Sequence, residues 1–252
     1  MYRLNASHGH LVPSIRVPRG RAAILLALAF MAGCAHEPPA KTPAAQEAPN
    51  LGVLKLQYTQ GQNRKLVESQ IAAVFAEASR YVQERAPAVT RPAVVLDIDE
   101  TSIDNWKQLV ANDFGYIRNG DAKNGDCSYL PQGPCSSLTW DSLNQAPAEP
   151  GAVEFFDSAR ADHVSVFFIT GRRERERAAT IAQLNAAGFK DWEGLSLKGA
   201  DMPTARYKTL ERVKIEGAGY TIIANLGDQP SDLTGGHAER VFRVPNPYYF
   251  IP

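Results

Sequence analysis

Five short apolar runs, separated by stretches of helix length, constrain this 252-residue chain more than any other feature. They are AVVLD, VSVFFIT, GLSLKG, YTIIANLG and RVFRVP, beginning at residues 93, 164, 194, 220 and 240. Their length and β-branched or aromatic content mark them as strands, and the near-continuous ones as strands buried on both faces. Before the first run, Val67, Ile71, Val74, Phe75, Ala78 and Val82 recur at helical spacing, so residues 63–85 are predicted as an amphipathic helix. Between the runs, PGAVEFFDSARA reads as a helix with proline at its start, 173–187 as a helix stopped by Gly188, and 203–216 as one stopped by Gly217. Strands alternating with helices of this size form an α/β fold, a mostly parallel sheet with helices on both faces. Residues 102–149 are less regular and read as a short helix followed by loops, a cap-like insertion between the first two strands.

The amino-terminal segment has a different character. Arg16, Arg19 and Arg21 precede an apolar run from Ala22 to Ala32. About 20 residues are needed to cross a bilayer, so this run fits a signal-peptide core instead. It ends in Met-Ala-Gly-Cys, which resembles a bacterial lipoprotein signal with Cys34 as the lipidated residue. Met31 stands where that pattern prefers Leu, and the long stretch before the arginines leaves a start downstream of Met1 open. A plain cleaved signal with an incidental cysteine is the alternative. Residues 1–34 are thus expected to be a leader and 35–60, rich in Pro and Ala, a flexible tether to a domain over 61–252. Ala35 in place of Asp favours, by the lipoprotein resemblance, the outer membrane facing the periplasm. In that oxidising compartment Cys127 and Cys135 are most simply a disulfide, worth roughly 2–3 kcal/mol for so short a loop.

In parallel α/β sheets chemistry sits just past the carboxyl ends of strands. Those exits carry Asp97-Ile98-Asp99, Thr170-Gly171-Arg172 and Gly227-Asp228. Two carboxylates two residues apart would share one side of a continuing strand. They repel unless a cation lies between them or one takes a proton. A nucleophile held ionised by a metal beside a general acid of higher pKa would use both outcomes, with Asp97 as the first and Asp99 as the second. The charge balance, 27 basic against 27 acidic residues, gives no support for binding a nucleic-acid polymer. The five histidines form no zinc pattern.

Four motifs in order resemble the haloacid dehalogenase superfamily: DIDET at 97–101, Thr170 after VFFI, Lys208 in RYKTLER, and GDQPSD with Asp228 and Asp232. Together with DIDETSIDNW, FFITGR and most of 191–252, the chain is similar to the acid phosphatases that include plant vegetative storage proteins and bacterial class B-like lipoprotein phosphatases. That resemblance implies a Rossmann-like core and Mg²⁺-dependent hydrolysis of small phosphomonoesters, nucleotides among them, through an aspartyl-phosphate on Asp97. It implies Mg²⁺ on Asp97, the Asp99 carbonyl and Asp228. Thr170, Gly171 and Lys208 would lie on the phosphoryl group, with Thr101 and Asp232 in support. Some plant storage members have lost the nucleophile; this chain keeps it.

Each residue also has a plainer reading. Asp228 before Gln-Pro-Ser suits a helix cap, and Thr170 a strand end. Lys198 is the alternative to Lys208, and Arg172 serves either phosphate or a helix cap. Trp106 and Tyr116 are read as core packing rather than substrate stacking. Among whole-protein readings, phosphotransfer to an acceptor alcohol and a non-catalytic ligand-binding lipoprotein on the same core are the alternatives.

Overall fold

A computed structural model describes residues 51–59, 62–117, 127, 135–199 and 201–251. The leader, Cys34 and most of the tether expected over 35–60 lie outside these residues. Five strands, β1 (Pro92–Leu96), β2 (Ser165–Arg173), β3 (Gly194–Lys198), β4 (Thr221–Gly227) and β5 (Arg240–Arg243), form one sheet of order β3-β2-β1-β4-β5. Every neighbouring pair is parallel. Eight helices accompany it among the described residues: α1 (Leu51–Thr59), α2 (Gln62–Arg85), α3 (Trp106–Ala111), α4 (Ser137–Leu143), α5 (Ala152–Ala161), α6 (Arg177–Ala187), α7 (Thr204–Gly217) and α8 (Pro230–Leu233).

The two faces of β1 explain its unbroken apolar run. Val94 and Leu96 join Ile71 and Phe75 of α2, Phe155 and Phe156 of α5, and Leu184 of α6 in one core cluster. Ala93 and Val95 point the other way, into a second cluster with Tyr207 and Ile215 of α7. A central parallel strand covered on both sides has no position for a polar residue until it ends. On the first face, α5 approaches α2 at Gly151, which has φ 83° and where a Cβ would stand 3.1 Å from that of Phe75.

Four sequence expectations are corrected. Residues 51–59 are helical rather than part of a tether, and the Tyr58 ring packs edge-on against Tyr248 at 5.4 Å. The chain does not continue as a strand through Asp99. β1 ends at Leu96, and the N–H groups of Ser102 and Ile103 both donate to the Ile98 carbonyl at 2.8 Å, closing a tight turn. Glu100 takes φ 52° within it, a conformation that costs a non-glycine residue roughly 1–2 kcal/mol. The helix predicted from residue 173 begins at Arg177, because β2 runs on to Arg173 and a 3₁₀ turn, Glu174–Glu176, intervenes. The insertion holds a second helix, α4, capped by the Ser136 hydroxyl, which accepts the Thr139 N–H at 3.2 Å. Cys127 and Cys135 are joined in a disulfide within the insertion.

Candidate active site

After β1 the chain adds β2 and β3 on one side, then returns to place β4 on the other. The crevice between β1 and β4 is therefore the point where strand order reverses, and such crevices are where open α/β sheets bind ligands. Asp97 leaves β1 there, its N–H on the Leu226 carbonyl at 3.0 Å, and Asp228 leaves β4. One oxygen from each of Asp97, Asp228 and Asp232 lies within 4.8 Å of the others, and all three side chains are buried. Gly227 is required for this closeness. A Cβ on it would stand 2.3 Å from that of Asp232, in the turn that opens α8.

Lys208, buried on α7, donates to Asp97 Oδ1 and lies 2.7 Å from Asp232 Oδ1. Lys198 instead donates to the Thr204 hydroxyl at 3.2 Å, so of the two lysines it is Lys208 that meets Asp97. Asp232 is further held through Oδ2 by the Gln229 N–H at 2.7 Å. The Thr101 hydroxyl reaches Asp228 Oδ1 at 3.2 Å. Leu96 pairs with Phe168, which puts fully buried Thr170 on the strand beside the Asp97 exit. Its hydroxyl accepts the Arg172 N–H at 3.1 Å. Gly171 is exposed, and the nearest atom that a Cβ there would meet is 3.9 Å away.

Asp99 has separate company. Arg172 clamps it with two bonds, Nε to Oδ2 at 3.0 Å and Nη2 to Oδ1 at 2.6 Å. Asn105 donates to the same Oδ1 at 2.9 Å, and is itself fixed by the buried Trp140 indole at 2.8 Å. Asp141 of α4 lies 3.2 Å from Arg172 Nη2. Arg172 is thus not a helix cap; it joins the strand exit to the insertion. Sequence reasoning did not single out Asn105, which precedes α3, nor Trp140 and Asp141, which lie on the unanticipated α4. Nor did it single out Gln229 and Asn246, whose amides donate to Asp228 Oδ2 at 2.5 and 2.7 Å. Trp106 packs against Phe114 and Tyr248, as expected of a core residue. Tyr116 is 78% exposed, contrary to the core packing expected of it.

Protein groups alone act on the two carboxylates of DIDET in opposite directions: upward on Asp97, expected to be held ionised by a metal, and downward on Asp99, expected to have the higher pKa. Burial pushes the Asp97 carboxyl well above the usual range; Lys208 opposes this, and Asp232, Asp228 and Asp99 add to it. For Asp99 burial acts upward too, but the Arg172 charge and hydrogen bonds, with Asn105, hold it below the usual range. Among the described residues, the three buried carboxylates of Asp97, Asp228 and Asp232 face a single ammonium, that of Lys208. That excess of oxygen-borne negative charge is what a hard divalent cation would neutralise. The residues present fit such an ion.

Comparisons with known proteins place the chain in a family. The family model described as HAD superfamily, subfamily IIIB (acid phosphatase) matches residues 40–252. The chain is 31% identical over 165 residues to acid phosphatase 1 of Solanum lycopersicum, covering 64% of this chain and 60% of that one. It is 37% identical over 118 residues to the stem 28 kDa glycoprotein of Glycine max, covering 44% and 46%. The matched region thus spans about half the length of these relatives. The class C acid phosphatase of Bacillus anthracis with tungstate bound superposes with a TM-score of 0.58 at 20% identity, covering 79% of this chain and 85% of that one, which shows a shared fold. With its model matched over most of the sequence, the family is established: the chain belongs to the HAD superfamily, subfamily IIIB, the acid phosphatases.

Proposed function

We propose that this protein is a Mg²⁺-dependent acid phosphatase that hydrolyses small phosphomonoesters, nucleotides among them, with Asp97 as the nucleophile. The observation that carries this reading is the placement of Asp97 at the β1–β4 crevice against Lys208, beside Asp228 and Asp232. A carboxylate at that exit can attack phosphorus in line while the lysine neutralises the equatorial oxygens. Positioning and charge neutralisation carry most of the rate in phosphoryl transfer. Asp97, Asp228 and the Asp99 carbonyl would hold Mg²⁺. When bound, the ion supplies positive charge to the phosphoryl oxygens and favours the ionised form of Asp97. Asp232 is already committed to Lys208 and the Gln229 N–H, and serves as their support.

The attack forms an aspartyl-phosphate on Asp97 and expels the alcohol. Asp99 gives the leaving oxygen a proton and then takes one from the water that hydrolyses the intermediate. For that proton to reside on Asp99, the Arg172 clamp has to loosen, and an arriving phosphate dianion gives the guanidinium another partner. The Thr170 hydroxyl and the exposed Gly171 backbone are the further donors for the phosphoryl oxygens. The test is an assay of the domain against a panel of phosphomonoesters. Hydrolysis that needs Mg²⁺ and disappears in Asp97→Asn supports the reading; turnover that survives both chelation and Asp97→Asn rejects it.

The envelope location is a second part of this proposal, supported by the apolar run ending in Met-Ala-Gly-Cys34. Lipidation of Cys34 would tether the enzyme to the outer membrane facing the periplasm. Cys34→Ser should then move it to the soluble fraction. Unchanged membrane association in that variant would reject Cys34 as the anchor.

A further inference from the structure

The segment after β5 runs back over the mouth of β4 and touches the Asp228 loop at two points. Asp228 Oδ2 receives two amide donors, Gln229 Nε2 at 2.5 Å and Asn246 Nδ2 at 2.7 Å. Among the described residues its Oδ1 receives only the Thr101 hydroxyl, at 3.2 Å. A carboxylate oxygen has about two lone pairs, so Oδ2 is saturated and Oδ1 retains acceptor capacity. An amide side chain can flip, exchanging donor for acceptor, unless its oxygen is also engaged. Both amides here are engaged by backbone of the same terminal segment. The Tyr248 N–H donates to Asn246 Oδ1 at 2.9 Å, and the Ile251 N–H donates to Gln229 Oε1 at 2.9 Å. Each backbone bond points the amide nitrogen at Asp228.

We infer that residues 246–251 form a strap that orients Asp228, fixing which carboxylate oxygen is offered to a divalent cation. Asn246 and Gln229 are positioning residues, and the Tyr248 and Ile251 N–H groups set their orientation. The strap is tied down elsewhere by the Tyr248 ring on Trp106 at 5.1 Å and by the Tyr249 hydroxyl, which donates to Glu100. This inference rests on the metal reading above. Without the strap Asp228 keeps its place on the chain but loses its rotational restraint, so cation binding weakens while the fold remains.

The experiment is calorimetric titration of Mg²⁺ into the substrate-free protein, with metal-free thermal melts as the check on folding. Asn246→Leu keeps the side-chain bulk and removes the donor. Loss of an outer hydrogen bond of this kind typically weakens metal affinity 10–100-fold, and that loss is expected here. Ile251→Pro deletes the N–H that orients Gln229 at a residue 47% exposed, and should weaken Mg²⁺ several-fold. Ile251→Ala keeps the N–H and should bind as the wild type does. Wild-type affinity in a folded Asn246→Leu overturns the inference. If that variant does not fold, the Ile251 pair decides: equal affinities in Ile251→Pro and Ile251→Ala overturn it. A wild-type protein that binds no Mg²⁺ rejects the metal reading, and the strap's role falls with it; wild-type binding with unaffected variants rejects the strap alone.

Discussion

Asp97 and Asp99 are separated by one isoleucine and differ in every neighbour that matters. Asp97 faces an ammonium and two other carboxylates; Asp99 faces a guanidinium and an amide. The DIDET pattern predicts Asp97 ionised by a metal and Asp99 with the higher pKa, but not the guanidinium that holds Asp99 below the usual range. That guanidinium belongs to Arg172, whose approach to Asp99 spans 73 residues. In the proposed mechanism Asp99 protonates the leaving oxygen, so its loss should depend on the leaving group. General acid catalysis contributes about 10²–10⁴-fold. For Asp99→Asn, first-step rates on alkyl phosphates should fall toward that range, and on p-nitrophenyl phosphate clearly less, because a nitrophenolate leaves without help. Equal losses for both esters, measured in single turnover, would remove Asp99 from the acid role.

At the scale of elements, the strands and the helix α2 were legible because tertiary burial and local periodicity coincide there. Val67, Ile71, Phe75, Ala78 and Val82 lie on one helical stripe and are all buried. The helix α4 was not, because SLTWDSL is only seven residues long and carries one large apolar anchor, Trp140. A capping serine such as Ser136 without a periodic run behind it predicts little. The turn after Asp97 was equally hidden, since nothing local requires Glu100 at positive φ. These unread elements build the surroundings of Asp99, so the strand-exit residues were legible and their partners were not. Trp140 gives the link a test. Trp140→Phe keeps a ring in the core but leaves the Asn105 carbonyl oxygen without the indole, at a cost of about 1–3 kcal/mol. It should lower kcat more than it changes KM, by loosening Asn105 on Asp99. Trp140→Ala should cost about 3–5 kcal/mol. A Trp140→Phe enzyme with wild-type kcat would show that α4 packs beside the site without tuning it.

Across the whole domain, several acids are buried away from the carboxylate trio. Glu149 is 2% exposed, and among the described residues neither of its carboxyl oxygens has a hydrogen-bond partner. Burial first, then the charge of Asp104, push it up to about 8, with Arg64 opposing. Its folded pKa is thus raised above the unfolded value near 4.3. The folded state binds more protons than the unfolded one between those values, so stability falls as pH rises through that window. The loss is complete only above about pH 8 and amounts to at most about 5 kcal/mol. The domain should melt at a higher temperature at pH 5 than at pH 8, and Glu149→Gln should flatten that dependence. Parallel pH dependences in the variant and the wild type would show that Glu149 ionises freely.

The central claim is that Asp97 carries the phosphoryl group. The most direct measurement is intact-mass analysis of Asp99→Asn quenched in acid after mixing with Mg²⁺ and p-nitrophenyl phosphate. The account predicts a phosphate added to the chain, mapped to Asp97 after borohydride trapping, and its absence in the Asp97→Asn, Asp99→Asn double variant. Stoichiometric release of nitrophenolate with no phosphate on Asp97 would contradict it and point to direct attack by water.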